Sequence, residues 1–472
     1  MVFNSITFVA FFCVVLLVYA MPLPWRFKKA HLLVASYLFY AAWNPPFVIL
    51  IWISTLVDWY AARRIKAATA LSFRRSFLLV SLVTNLGILG FFKYGDFLIE
   101  NFVWFAATLG IEFQPADLGI FLPIGISFYT FQTLSYTIDV YRRKMEPWNS
   151  FLDFALFVTF FPQLVAGPIV RASHFLPQCL TPRRVTANGL SWGFALLTLG
   201  LFEKAVLADS LMAPVADLVY ASPMKAGFVD AWAGTLAFSA QIFFDFAGYS
   251  TCAIGAALCL GFHLPENFRY PYAAIGFSDF WRRWHVSLST WLRDYLYIPL
   301  GGNRRGRRRT YINLMLTMLL GGLWHGAAWR FVAWGGMHGL FLSAERLLRR
   351  RLSHIQLAHS RLARVAAGLL TYYLTCLTWT FFRATDFTGA LHILRAMFFG
   401  AQDQMETGLL NVTAVAILTA LTLCVHWFMR ERSLEEVADS VPWWIRGTVL
   451  ALMLIAVAMV RGGDRAFIYF QF

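Results

Sequence analysis

Apolar residues along this chain gather into long runs separated by short polar and basic stretches. They neither alternate nor keep to a single helical stripe. The runs cover residues 3–21, 31–43, 47–61, 77–93, 120–140, 151–170, 190–211, 231–260, 311–324, 331–347, 365–382, 409–429 and 443–460. Several reach the roughly 20 residues that a helix needs to cross a bilayer. A helix apolar on every side must be surrounded by lipid or by other helices. The pattern therefore predicts an all-α polytopic membrane protein in which residues 1–472 form a single transmembrane domain. It shows no soluble domain, low-complexity linker or internal repeat. Trp43-Asn44-Pro45-Pro46 marks a tight turn between two of the shorter runs.

Composition agrees: 59% of residues are hydrophobic and 14% charged, against about a quarter charged in soluble domains. The net charge of +15 would suggest nucleic acid in a soluble protein. Here the Lys and Arg residues sit in short clusters between apolar runs, such as Arg63, Arg64 and Lys66, or Arg142, Arg143 and Lys144. That is the positive-inside pattern, so the clusters mark the cytoplasmic side and no nucleic-acid partner is expected. The first run lacks a basic leader and is followed by Arg26, Lys28 and Lys29, which predicts a retained helix that starts outside. The same count puts both termini on the outer side.

Two segments depart from simple crossing. Residues 151–170 have basic flanks on both sides, so they should dip in and return, which requires surrounding protein or a cavity. Residues 310–348 follow the RRGRRR run and end before another Arg cluster, predicting a hairpin with both feet in the cytoplasm. His325 lies at its apex, in GGLWHGAAW. At about 1.5 Å per residue the first arm climbs roughly 22 Å, deep into a core about 30 Å thick.

An ionisable side chain at that depth is costly unless it faces a cavity or a partner. Gly321, Gly322 and Gly326 strip bulk from around His325 and allow close approach of a backbone or ligand. The imidazole suits general-base work near neutral pH; it could equally bond a carbonyl at a helix break. His285 lies in DFWRRWHVSLSTWLRDYLYIPLGGNRRG, where aromatic and apolar residues alternate with Arg282, Arg283, Arg293 and Asp294. By pattern this is an amphipathic helix at the cytoplasmic surface, with Trp281, Trp284 and Trp291 in the aromatic belt and His285 an interfacial anchor. The arginines at 304–309 are a topological signal that also suits the phosphates of an anionic cytoplasmic donor such as coenzyme A. His338, and His354 with His359, lack the spacing of a helical metal pair and read as surface or packing residues. Gly335, Gly336 and Gly339 read as close helix packing. The six cysteines are scattered without metal-ligand spacing and read as small core residues, so no metal site is expected.

The blocks FLPIGISFYTFQTLSYTIDVYR, FFPQLVAGPIVR, FDFAGYSTCAIG, ENFRYPY, DFWRRWHVSLSTWLRDYLYIPLGGNRRG and GGLWHG resemble the membrane-bound O-acyltransferase (MBOAT) family, in particular its bacterial alginate O-acetyltransferase branch. The resemblance implies a ring of transmembrane helices with re-entrant segments around a thin central pore, in a bacterial inner membrane. It implies that His325 is the catalytic histidine and His285 a second one near the cytoplasmic mouth. Trp281, Arg283, Trp284, Arg293, Asp294, Tyr295 and Trp324 then become donor-binding or pore-lining candidates. Acetyl-CoA would be a donor substrate rather than a bound cofactor. The partners would be a periplasmic acetyltransferase and an exported polysaccharide. The C-terminal FIYFQF resembles a motif whose tyrosine, here Tyr469, carries the acyl group outward; alternatively it is an interfacial aromatic cluster. Alginate is the first choice of polymer, with cellulose, peptidoglycan and D-alanylated teichoic acid as alternatives. A transporter or flippase is the rival from another class, although it should show paired broken helices, and one histidine hairpin without a second copy is found.

Overall fold

The computed structural model describes all residues except 1–2, 117–118, 352–359, 402–405, 461–464, 466 and 469–472. All regular structure among the described residues is helical. Six helices are long and apolar enough to cross a membrane: Pro45–Ala67, Leu71–Thr108, Ala187–Ala221, Phe228–Cys259, Arg361–Arg383 and Leu409–Met429. The chain folds as two compact units, residues 1–196 with 253–265, and residues 197–252 with 266–472.

In the first unit one cluster of polar groups faces inward. Asp58 on the Val48–Ala67 helix accepts from Asn85 Nδ2 at 2.9 Å and from the Ser81 hydroxyl, while Ser54 donates to Asn85 Oδ1 at 2.6 Å. Val80, Val83, Leu86 and Phe91, on the same Leu71–Thr108 helix as Ser81 and Asn85, are exposed. Apolar outside with a satisfied polar network inside is the arrangement that lipid demands. The predicted Asn-Pro-Pro turn is a short 3₁₀ turn, Pro45–Phe47. The predicted dip over 151–170 resolves into two short helices, Phe151–Thr159 and Phe161–Leu164. Nine residues rise about 13 Å, less than half a bilayer core. Their surroundings are aromatic: Phe160 packs on Phe175 at 5.1 Å and on Phe262 at 5.0 Å. The Leu71–Thr108 helix runs fifteen residues beyond the predicted 77–93 run, because Lys93, Asp96 and Glu100 end the apolar run without ending the helix.

In the second unit the expected hairpin is present. Gly306–His325 and Trp329–Arg351 pack together across a turn at residues 326–328. The glycines make that packing intimate. A Cβ on Gly322 would sit 2.2 Å from the Phe331 carbonyl oxygen, and one on Gly335 would sit 2.2 Å from the Met318 oxygen. Two further helices, Arg361–Arg383 and Leu409–Met429, belong to this unit. The run predicted over 190–211 ends in a wider winding, Phe202–Met212, with bonds from residue i to i+5. Four of the six cysteines are buried, Cys13 and Cys424 are exposed, and all six are free thiols.

Candidate active site

His325 is the last residue of its helix. Gly326 leaves the helix with extended backbone, and a Cβ there would strike the Phe331 ring at 2.1 Å. The helix therefore stops where the imidazole begins, and the ring stands at the hairpin apex. It is 2% exposed. Trp324, Trp334 and Phe382 meet it edge-on, with centroids at 5.0, 4.9 and 5.4 Å.

His285 is the main correction to the sequence reading. The stretch around it is not one surface helix. It is two short helices, Phe277–Arg283 and Val286–Leu292, followed by a wide turn over Arg293–Tyr297. The break falls at Trp284 and His285, and His285 has φ +43°. A left-handed conformation costs a non-glycine residue roughly 1–2 kcal/mol, so the surroundings must hold it there. Asn267 does so. Its carbonyl oxygen accepts from Val286 N at 2.9 Å, and its side-chain Oδ1 accepts from Ser287 N at 3.3 Å and Ser287 Oγ at 2.9 Å. Far from anchoring at an interface, His285 is completely buried.

The same amide sets the tautomer. Asn267 Nδ2 donates to Ser250 Oγ at 3.2 Å, and Ser287 N can only donate, so Oδ1 is the acceptor side. His285 Nδ1 lies 3.0 Å from Oδ1 and must therefore carry a hydrogen. In the neutral ring Nε2 is then the nitrogen with the lone pair. One indole separates the two imidazoles: the Trp324 ring is 5.0 Å from His325 and 6.0 Å from His285.

The other expected residues divide. Trp284 is fully buried, at 5.1 Å from Phe268 and 5.1 Å from Trp379. Trp281 turns inward onto Trp334 at 5.8 Å and His338 at 5.2 Å. Neither these two nor the buried Trp291 forms an aromatic belt. Arg293 pairs with its neighbour Asp294 at 2.7 Å on the exposed side, and Tyr295 packs on Trp291 at 5.1 Å. His338 is a packing residue, as expected, but an interior one: it is fully buried and 3.1 Å from Thr378 Oγ1. His354 and His359 lie outside the described residues, as does Tyr469. The last described residues are nonetheless close to the site. Phe467 is buried against Phe246 at 5.3 Å and Tyr249 at 5.1 Å, and Phe246 meets His285 edge-on at 4.7 Å.

Phe268, whose ring lies 6.5 Å from that of His285, also lines a cavity of about 440 Å³. Arg269, Arg282, Arg283, Arg430 and Arg432 line it, with Glu266, Asp279 and Glu431 among them. Arg283 is committed to structure, donating to Asp279 Oδ1 at 3.0 Å and to the Arg430 oxygen at 2.9 Å. Arg430 binds the other Asp279 oxygen at 2.8 Å. Burial acts to raise the Asp279 carboxyl, but the Ile275 N–H and the guanidinium groups of Arg283 and Arg430 outweigh it and hold the carboxyl below its usual value. The stability it contributes is complete above the ordinary carboxylate pKa of about 3.9. It is lost only as pH falls through the lower folded-state value. Arg282 and Arg432 have no carboxylate partner among the described residues.

Sequence reasoning missed Asn267, Phe246, Trp334 and Phe382. Asn267 and Phe246 were within reach, because they lie in the ENFRYPY and FDFAGYSTCAIG blocks; Trp334 and Phe382 lie in apolar runs and carried no distinct signal.

The profile of the membrane-bound O-acyltransferase family matches residues 126–385. The chain is 41% identical to "Probable alginate O-acetylase AlgI" of Azotobacter vinelandii, over 89% of this chain and 83% of that protein. It is 38% identical to "Peptidoglycan O-acetyltransferase" of Helicobacter pylori, over 79% of this chain and 74% of that protein. It is 30% identical to "Teichoic acid D-alanyltransferase" of Streptococcus thermophilus, over 46% of this chain and 55% of that protein. With its long apolar helices and its buried histidines, this chain belongs to the membrane-bound O-acyltransferase family and is a multi-pass O-acyltransferase, not a transporter.

Proposed function

We propose that this enzyme takes acetyl from acetyl-CoA at the cytoplasmic face of a bacterial inner membrane and passes it outward for O-acetylation of an exported polysaccharide. The observation that carries this reading is the pair of buried imidazoles on either side of Trp324. The donor thioester is inside and the polymer outside, so the acyl group must cross while the donor stays. A buried base reached from both sides meets that demand. The arginine-lined cavity at Phe268 suits the donor phosphates, with Arg282 and Arg432 supplying the uncommitted charge. His285, with its lone pair on Nε2, accepts from an amide N–H of the donor arm. His325 takes the proton of an acceptor hydroxyl as that oxygen attacks the thioester carbonyl. The new C–O bond forms, the C–S bond breaks, and the thiolate leaves to be protonated. No acyl-histidine is needed. The acceptor hydroxyl is Tyr469 or one supplied by a periplasmic acetyltransferase partner.

The polymer we propose is alginate, on the names of the relatives that match nearly all of the chain. Peptidoglycan is the second reading, on the Helicobacter pylori relative. Replacing His325 with Ala should abolish polymer acetylation while membrane accumulation stays normal. Near wild-type acetylation from a well-inserted variant would sink the assignment.

A further inference from the structure

Three charged side chains lie together inside the second unit, on two of its membrane-length helices. Lys204 Nζ meets Asp209 at 2.9 Å and also pairs with Asp245. The side chains of Lys204, Asp209 and Asp245 are 8%, 11% and 2% exposed. Buried charges are retained only where they are paired and used. One cation facing two carboxyls leaves an acceptor to spare. Asp245 Oδ2 gives it to the chain's own end, accepting from the Ile468 backbone N–H at 2.7 Å. Phe467, one residue earlier, fills the aromatic pocket of Phe246 and Tyr249, and Arg465 pairs with Asp217 at 2.5 Å. Phe246 in turn forms part of the wall around His285.

We infer that Lys204 and Asp245 form a latch that seats Phe467 and Ile468 against the wall of the histidine site. Asp245 binds a main-chain amide, so the latch reads the position of the backbone rather than a side chain. Lys204 orients the carboxyl by pairing with it, and a charge-assisted acceptor binds an amide more strongly than a neutral one does. Both are positioning residues. That seating the tail serves acyl transfer rests on the proposed role of Tyr469; the seating itself does not.

The Asp245→Asn variant tests this without leaving an orphan charge, because Lys204 keeps Asp209 as a one-to-one partner. The probe is a cysteine at 468, made as Ile468→Cys in a chain whose exposed Cys13 and Cys424 are replaced by Ser. Labelling by a maleimide is read site by site by mass spectrometry, with the buried Cys376 as internal control. With Asp245 present, the cysteine at 468 should label as slowly as Cys376. With Asn at 245 it should label about tenfold faster, while Cys376 is unchanged. Equal slow labelling at 468 in both chains would overturn the latch. So would a parallel rise at Cys376, which would mean general loosening. Polymer acetylation is then measured in Asp245→Asn with Ile468 intact. A fall alongside faster labelling supports both the latch and the carrier role. Unchanged acetylation with faster labelling keeps the latch and removes the carrier role.

Discussion

At the scale of single residues, most of the candidate chemistry depends on one amide. Asn267 fixes the left-handed turn at His285, the orientation of the ring and the nitrogen that bears the proton. Asn267→Leu keeps similar bulk but removes the acceptor, leaving the hydrogen on His285 Nδ1 and the Ser287 hydroxyl without it. An unmet buried donor costs about 1–3 kcal/mol, and loss of an oriented imidazole should lower acetylation roughly tenfold or more. Asn267→Asp restores an acceptor and should recover part of that activity. Equal acetylation rates in the Leu and Asp variants, at matched expression, would refute the positioning role. His325 was legible from sequence because glycines and a hairpin pattern surround it. By pattern alone the setting of His285 was not, because the residue that holds it lies eighteen positions earlier and no periodicity links the two.

At the scale of elements, the hairpin of Gly306–His325 and Trp329–Arg351 sets the depth and direction of His325, and its glycines set its spacing. A methyl at Gly322 would meet main-chain oxygen at 2.2 Å, which cannot swing away as a side chain can. At Gly336 the nearest atom is the flexible tip of Leu319, 3.4 Å away. Gly322→Ala should therefore destabilise the protein by about 1–3 kcal/mol and reduce acetylation, while Gly336→Ala should be close to silent. Thermal unfolding in detergent gives the comparison, and equal stability of the two variants would contradict it. Both arms of this hairpin were legible as apolar runs with basic feet. The broken segment over 277–297 was not. Its mixture of aromatic and charged residues fits a helical stripe, and a stripe does not reveal that a single residue has turned left-handed.

At the scale of the molecule, the membrane sorts the surfaces. Long helices carry exposed Leu, Val and Phe outward while Asp58, Asn85, Lys204 and Asp245 are buried within their units. The runs of sequence gave these helices because lipid imposes one rule on every exposed position. They did not give the partition into two units, two of whose boundaries fall inside the Ala187–Leu201 and Phe228–Cys259 helices and not between apolar runs. The basic clusters predict which side of the membrane each connection faces. Reporter fusions ending at Arg307 and at Phe472 should report cytoplasm and periplasm respectively, and the reverse result would overturn the charge reading.

The wide winding at Phe202–Met212 has a consequence for counting residues. Lys204 and Asp209 are five positions apart, which in an ordinary α-helix would aim them about 140° away from each other. They meet here because the local bonds run from i to i+5, as Ser210 Oγ to the Ala205 oxygen also does at 2.7 Å. A reader applying a period of 3.6 would scatter these charges around the helix and see no cluster. Shortening residues 205–208 by one would bring the pair to the i, i+4 spacing that an α-helix uses for ion pairs. A one-residue gap in this stretch of a relative would therefore mark a change of winding with the same pair preserved.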